Sequence, residues 1–113
     1  MGEYRTLQEI HHLLGVSRRA VQGYEKLGLV AASGKNKYGY LLYGEDEVKR
    51  IDTIKKYQQF GFKLKEIKVL IDAPDQIVKE ALERRVEQLR EEQVKLKALM
   101  IEAEVLIEKL SGG

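Results

Sequence analysis

The chain has 113 residues, 43% of them hydrophobic and 34% charged, with a formal net charge of +2. This length fits one compact unit with at most one extended element, and the high charged share favours a long exposed helix. The absence of cysteine excludes disulfides and thiolate metal sites, and the absence of a long apolar run or signal peptide leads us to expect a cytoplasmic protein without membrane contact.

Two short helices joined by a tight turn are predicted near the N-terminus. Thr6 and Glu9 have the spacing of a capping box, and an apolar stripe follows until Gly15. Ser17 is a good N-cap for a second helix, which Gly28 would end. The second helix would present three exposed polar side chains, which are Arg18, Arg19 and Gln22. This is the outline of a helix-turn-helix, and such side chains suit base edges or phosphates in a major groove.

The segment from Ala31 to Tyr43 is predicted to form a β-hairpin. Residues 34–37 would supply a polar tip, and residues 38–43 favour the second strand. A hairpin directly after a recognition helix is a wing. Its two lysines, Lys35 and Lys37, would therefore lie beside a phosphate backbone.

Two further helices are predicted after the hairpin. The first begins near Gly44, where acidic residues favour the positive helix end, and Gly61 ends it. The second spans about Leu64 to Asp72. The lysines around this second helix, Lys63 among them, fit either contact with the DNA backbone or an ordinary solvated face.

The last predicted helix carries a heptad pattern. Residues 75–110 contain neither Gly nor Pro, and seam residues recur at alternating steps of four and three. The seam consists of Leu82, Val86, Leu89, Gln93, Leu96, Met100, Ala103, Ile107 and Leu110. A seam of about four heptads needs a partner helix, so we predict a homodimer in which Gln93 helps to set the register.

Several motifs in this order resemble the signature of the MerR family of regulators. They are Gly15-Val16-Ser17, Tyr24-Glu25 and Gly28-Leu29, then Gly39-Tyr40 with Tyr43, then Gly61-Phe62 with Leu64, Glu66 and Ile67. The resemblance covers roughly residues 4–72, and the long helix matches in kind. It implies a mainly α fold: a winged helix-turn-helix, two further helices and a long C-terminal helix in an antiparallel coiled coil. We expect a DNA-binding domain over residues 1–73, a coiled-coil helix over residues 74–110 and a tail over residues 111–113.

The resemblance also implies what the dimer does. It would bind a pseudo-palindromic promoter site on double-stranded DNA, distort that DNA and act with RNA polymerase. Tyr24 would contact a phosphate, serve as a core aromatic residue or do both, and the resemblance favours contact. Tyr40 would pack within the wing or touch DNA, and Tyr38 is left open. The predicted DNA-contacting set is Ser17, Arg18, Arg19, Gln22, Tyr24, Lys35, Lys37, Tyr38, Tyr40 and Lys63.

The chain departs from the usual family pattern at three positions. Gln22 and Gly23 stand where the family has Arg and an aromatic residue, and Leu41 stands where the wing usually has Arg. Two habitual cations are therefore missing. The DNA site is expected to be unusual, or the binding weaker, unless other cations compensate, namely Arg18, Arg19, Lys35 and Lys37.

Other classes of function were weighed against this one. His11 and His12 diverge by about 100° on a helix, so they cannot act as a pair of metal ligands. We expect no metal, no other cofactor and no enzymatic activity, because no catalytic constellation is visible. Two alternatives stay open: an excisionase-like factor that bends DNA without regulating a promoter, and a coiled-coil adaptor whose head binds protein.

Overall fold

The computed structural model describes residues 3–112, which form five helices and one two-stranded sheet. The elements in chain order are α1 (Leu7–Leu14), α2 (Arg18–Lys26), β1 (Gly34–Lys35), β2 (Leu41–Leu42), α3 (Glu45–Phe60), α4 (Leu64–Leu70) and α5 (Asp75–Leu110). The chain divides between Ala73 and Pro74 into two units. The predicted fold class, a mainly helical winged helix-turn-helix with a long C-terminal helix, is confirmed.

The caps of α1 and α2 form as the sequence predicts. Thr6 Oγ1 accepts a hydrogen bond from the Glu9 N–H at 3.3 Å, and Glu9 Oε1 accepts one from the Thr6 N–H at 3.0 Å. These bonds from Thr6 hold the pKa of Glu9 below its usual value. Gly15 ends α1 with φ of 71°, a left-handed conformation that favours glycine. Ser17 Oγ then accepts from the Ala20 N–H at 3.0 Å and caps α2.

The first unit is held together by one apolar core that α1, α2, α3 and α4 all line. Its buried members are Ile10, Val16, Val21, Tyr24, Leu29, Val30, Tyr43, Ile51, Ile54 and Ile67. Two cations of α3 bind backbone carbonyls around this core. Lys55 Nζ donates to the carbonyl of Leu14 at the end of α1, and Arg50 Nε donates to the carbonyl of Leu29. Such bonds satisfy carbonyls that a helix end or a loop leaves without a partner.

The wing is shorter than predicted, because its second strand begins at Leu41 and not at Tyr38. Gly34 pairs with Leu42 and Lys35 pairs with Leu41, so residues 34 and 35 belong to a strand and residues 36–40 form the tip. Asn36 Oδ1 accepts from the backbone N–H groups of Tyr38 and Tyr40 at 2.9 and 3.0 Å. These side-chain bonds compete with the sheet ladder and hold two good strand formers in a turn.

The segment that follows the wing agrees with the prediction except at its C-terminal end. Three acidic residues occupy the first turn of α3, and Gly61 ends that helix. Glu66 Oε1 accepts from the Lys63 N–H at 2.9 Å at the start of α4. That helix ends at Leu70, two residues before its predicted end at Asp72. The carboxylate of Asp72 instead binds the Arg50 guanidinium in a bidentate pair at 2.7 and 2.8 Å.

The second unit is the 36-residue helix α5, which begins and ends where the sequence predicts. At 1.5 Å per residue it is about 54 Å long. Ala81 is its one buried residue, and ion pairs such as Arg90 with Glu87 at 2.9 Å lie on its surface. Among the helices of residues 3–112, none has the length and apolar content to cross a membrane.

Candidate nucleic-acid interface

The first turn of α2 has an unusual charge for a helix start. Among the helices of residues 3–112, the other four carry an acidic residue in the first turn, whereas α2 carries Arg18 and Arg19 there. A cation at the positive end of a helix costs about 0.3–1 kcal/mol. Both arginines are exposed, and neither has an ion pair or hydrogen bond with another residue of the described chain. Their charge is therefore available to an anion outside the protein.

A cleft joins α2 to the wing. It is lined by Thr6, Leu7, Gln8 and His11 from the first helix and its cap, by Ser17, Arg18 and Gln22 around the start of α2, and by Lys35, Asn36, Tyr38, Gly39, Tyr40 and Leu41 from the wing. None of these lining residues is acidic. The cleft brings together six of the ten residues predicted to contact DNA, and its charged groups are cations only.

The tip of the wing exposes two aromatic rings. Tyr38 is 72% exposed and Tyr40 is 62% exposed, so neither ring packs within the protein. Lys37 Nζ lies 5.2 Å from the centroid of the Tyr38 ring, within the range of a cation–π interaction. For Tyr40, this exposure supports the alternative of DNA contact over packing within the wing.

Three other predicted contact residues, Arg19, Lys37 and Lys63, are exposed but do not line the cleft. Arg19 lies on the outward face of α2, and Lys37 lies at the wing tip. Lys63 precedes α4 on a different element. The contacts of these three residues with DNA stay predictions.

Tyr24 lies in the core, unlike the other residues predicted to contact DNA. Its side chain is only 2% exposed, and its hydroxyl donates to Gln58 Oε1 at 2.6 Å. Burial raises the pKa of this hydroxyl above its ordinary value. The structure therefore supports the role of a core aromatic residue, because Tyr24 connects α2 to α3. Its contact with a phosphate stays a prediction.

The contact that fastens the wing to α2 is not predicted from the sequence. Tyr43 is fully buried, and its hydroxyl donates to the carboxylate of Glu25 on α2. Its backbone exchanges two hydrogen bonds of 2.8 Å with Arg5. Burial, followed by the bond to Glu25, raises the pKa of the Tyr43 hydroxyl far above its ordinary value. Both residues belong to the recognised motifs, but no local pattern indicates that they bind each other.

The heptad seam of α5 is open along most of its length. Among its large apolar members, exposure runs from 40% at Leu89 to 87% at Leu110, while Leu82 is half-buried. The predicted seam omits Leu99 and Leu106, which widen it on one side and are 59% and 57% exposed. Their signal was their spacing of one heptad beside the seam. An apolar stripe of this length is expected to bind a partner surface.

Comparison with known proteins gives a consistent family. A family model described as "MerR HTH family regulatory protein" matches residues 5–74, and a second, "MerR, DNA binding", matches residues 48–102. The mercuric resistance operon regulatory protein of Bacillus cereus is 34% identical over 67 residues, which are 59% of this chain and 51% of that protein. The chain spans about half the length of the curated relatives that it matches.

Solved structures share the fold. The N-terminal part of MtaN, the Bacillus subtilis multidrug transporter activator, has a TM-score of 0.73 at 25% identity. The matched part is 91% of this chain and 97% of the MtaN chain. HiNmlR, a MerR family regulator lacking the sensor domain and bound to promoter DNA, has a TM-score of 0.68 at 19% identity. The matched part is 87% of this chain and 79% of HiNmlR. The relatives named here are regulators and not enzymes. Because the first family model, which matches residues 5–74, covers more than half of this chain, the chain belongs to the MerR family of DNA-binding transcription regulators.

Proposed function

We propose that the chain acts as a homodimer that binds a pseudo-palindromic promoter site and distorts the DNA between the half-sites. The observation that carries this proposal is the exposed, unpaired Arg18 and Arg19 at the positive end of α2, beside a cleft without acidic residues. A protein that needed only to fold would not place two cations at this helix end. A DNA phosphate or a base edge gives them a partner.

In this proposal α2 enters the major groove, and the wing follows the neighbouring backbone. Arg18 and Gln22 would face base edges, while Lys35 and Lys37 would lie against phosphates. The hydrogen bond from Tyr43 to Glu25 holds the base of the wing against α2, so both elements would meet the DNA as one surface. HiNmlR, which shares this fold, was solved bound to promoter DNA, and this supports promoter DNA as the ligand of this chain.

The dimer in this proposal forms through the seam of α5. Burying large apolar side chains that are half or more exposed stabilises association by about 25 cal/mol for each Å² removed from water. A two-fold dimer would present two copies of α2 to successive major grooves, about 34–36 Å apart. The family resemblance supports an antiparallel pairing. Bending or untwisting the intervening DNA costs a few kcal/mol, which phosphate contacts from both protomers can offset.

Gel shifts at a series of salt concentrations test the proposal. Arg18→Ala and Arg19→Ala should each weaken specific binding. Lys35→Ala combined with Lys37→Ala should reduce the slope of log affinity against log salt by about 2 for each protomer. Unchanged affinity and slope in all of these variants would refute the proposed interface.

Transcription in a purified system tests the regulatory part of the proposal. Adding the protein to RNA polymerase and a promoter that contains its site should change the yield of transcript, and the same site placed away from the promoter should have no effect. Bending without any effect on transcription would favour the excisionase-like alternative. No observation in the structure favours the adaptor that binds only protein.

A further inference from the structure

We propose that Gln22 determines the base specificity of this protein by reading one adenine in each half-site. The inference rests on the proposed function, because it takes α2 as the helix that enters the major groove. It adds the residue that selects the site and the base that it selects.

The position of Gln22 suits contact with a base. It is the fifth residue of α2, it is exposed, and it lines the cleft one turn after Arg18. In helix-turn-helix proteins, side chains of the N-terminal part of the recognition helix contact base edges. No hydrogen bond joins the Gln22 amide to another residue within the described 3–112, so folding leaves its donor and acceptor unused.

The three cleft residues at the start of α2 differ in what they can recognise. Ser17 Oγ already accepts from the Ala20 N–H as the N-cap. Arg18 carries donors only, which suits a guanine or a phosphate. Gln22 offers one acceptor and one donor group side by side. In the major groove this pair matches the N6 amino group and the N7 acceptor of adenine.

Because Gln22 is neutral, it can select a base without contributing much to the overall affinity for DNA. Arg18 and Arg19 beside it supply charge that any DNA sequence attracts, whereas an amide gains little from a phosphate backbone. Replacing Gln22 should therefore change which site is preferred and leave the salt dependence of binding nearly unchanged. Replacing Arg19 should lower affinity for all sites and reduce the salt dependence.

Selection of bound duplexes from a random library tests this inference. The wild type should enrich a dyad-symmetric site with a strongly preferred adenine in each half. Gln22→Ala should lose the preference at that position alone, by roughly 5- to 150-fold, and Gln22→Arg should shift it to guanine. Lys26→Ala is the matched control, since Lys26 is exposed at the other end of α2, does not line the cleft and should select the wild-type site.

A base analogue makes the test independent of the library. Replacing the selected adenine by 7-deazaadenine removes N7 and should weaken the wild type but not Gln22→Ala. Retention of the adenine preference by Gln22→Ala, or equal weakening of both proteins by the analogue, would overturn the inference and leave the proposed function standing. If the wild type enriched no sequence at all, the proposed function itself would fail.

Discussion

Arg19→Glu should make the protein more stable while it impairs DNA binding. Arg19 is the second residue of α2, where a cation opposes the helix dipole and a carboxylate complements it. Removing the cation and adding the carboxylate each contribute about 0.3–1 kcal/mol, and solvent screening at this exposed site favours the lower part of the combined range, about 0.6–1 kcal/mol. For a unit of this size the melting temperature should rise by about 2–8 °C. Specific affinity for DNA should fall at least tenfold in the same variant.

Lys26→Glu is the matched control for this prediction. It changes the net charge by the same amount, but Lys26 is exposed at the negative end of the same helix, where it complements the dipole. The control should therefore lower the melting temperature. Thermal unfolding would be followed by circular dichroism at one protein concentration, once at low salt and once at high salt. The two opposite shifts in melting temperature should become smaller as the salt concentration increases. Shifts of the same sign in both variants would refute the argument, because total charge and not the helix end would then be responsible.

Three further predictions concern stability and assembly. Tyr43→Phe leaves the half-buried carboxylate of Glu25 without its hydroxyl donor, so urea unfolding should show a free energy of unfolding lower by about 1–3 kcal/mol. A decrease of less than about 0.5 kcal/mol would contradict the role of this bond. The ion pair lowers the pKa of Asp72, so the stability that the pair contributes is present above the ordinary carboxyl pKa and is lost as pH falls through the lowered value. Asp72→Asn should remove this acid dependence from the urea midpoints, and an unaltered pH profile would refute the prediction. Leu96→Glu should turn the proposed dimer into monomers in light scattering, whereas Val94→Glu, about 160° around α5 and also exposed, should not. Dissociation by both or by neither would exclude the seam as the interface.

Most helix boundaries could be predicted from the sequence because they depend on local contacts, and the end of α4, predicted at Asp72 and found at Leu70, is the exception. Thr6 and Glu9 cap α1 through atoms three residues apart, and Ser17 caps α2 in the same way. Pro74 precedes a stretch without helix breakers, and α5 occupies all of it. Capping bonds and the 3.6-residue period involve neighbours within one turn, so a sequence pattern contains nearly all of their determinants.

The roles of individual side chains depended on tertiary packing. Tyr24 and Gln58 are 34 residues apart, and Tyr43 and Glu25 are 18 apart, so no local pattern indicates that a motif tyrosine is buried and bonded across the core. The length of the wing strands was likewise set by the side chain of Asn36. The sequence could say which residues form helices and which are cationic. Only the folded chain brings the start of α2 and the wing to one cleft, because long-range packing fixes which side chains remain exposed there.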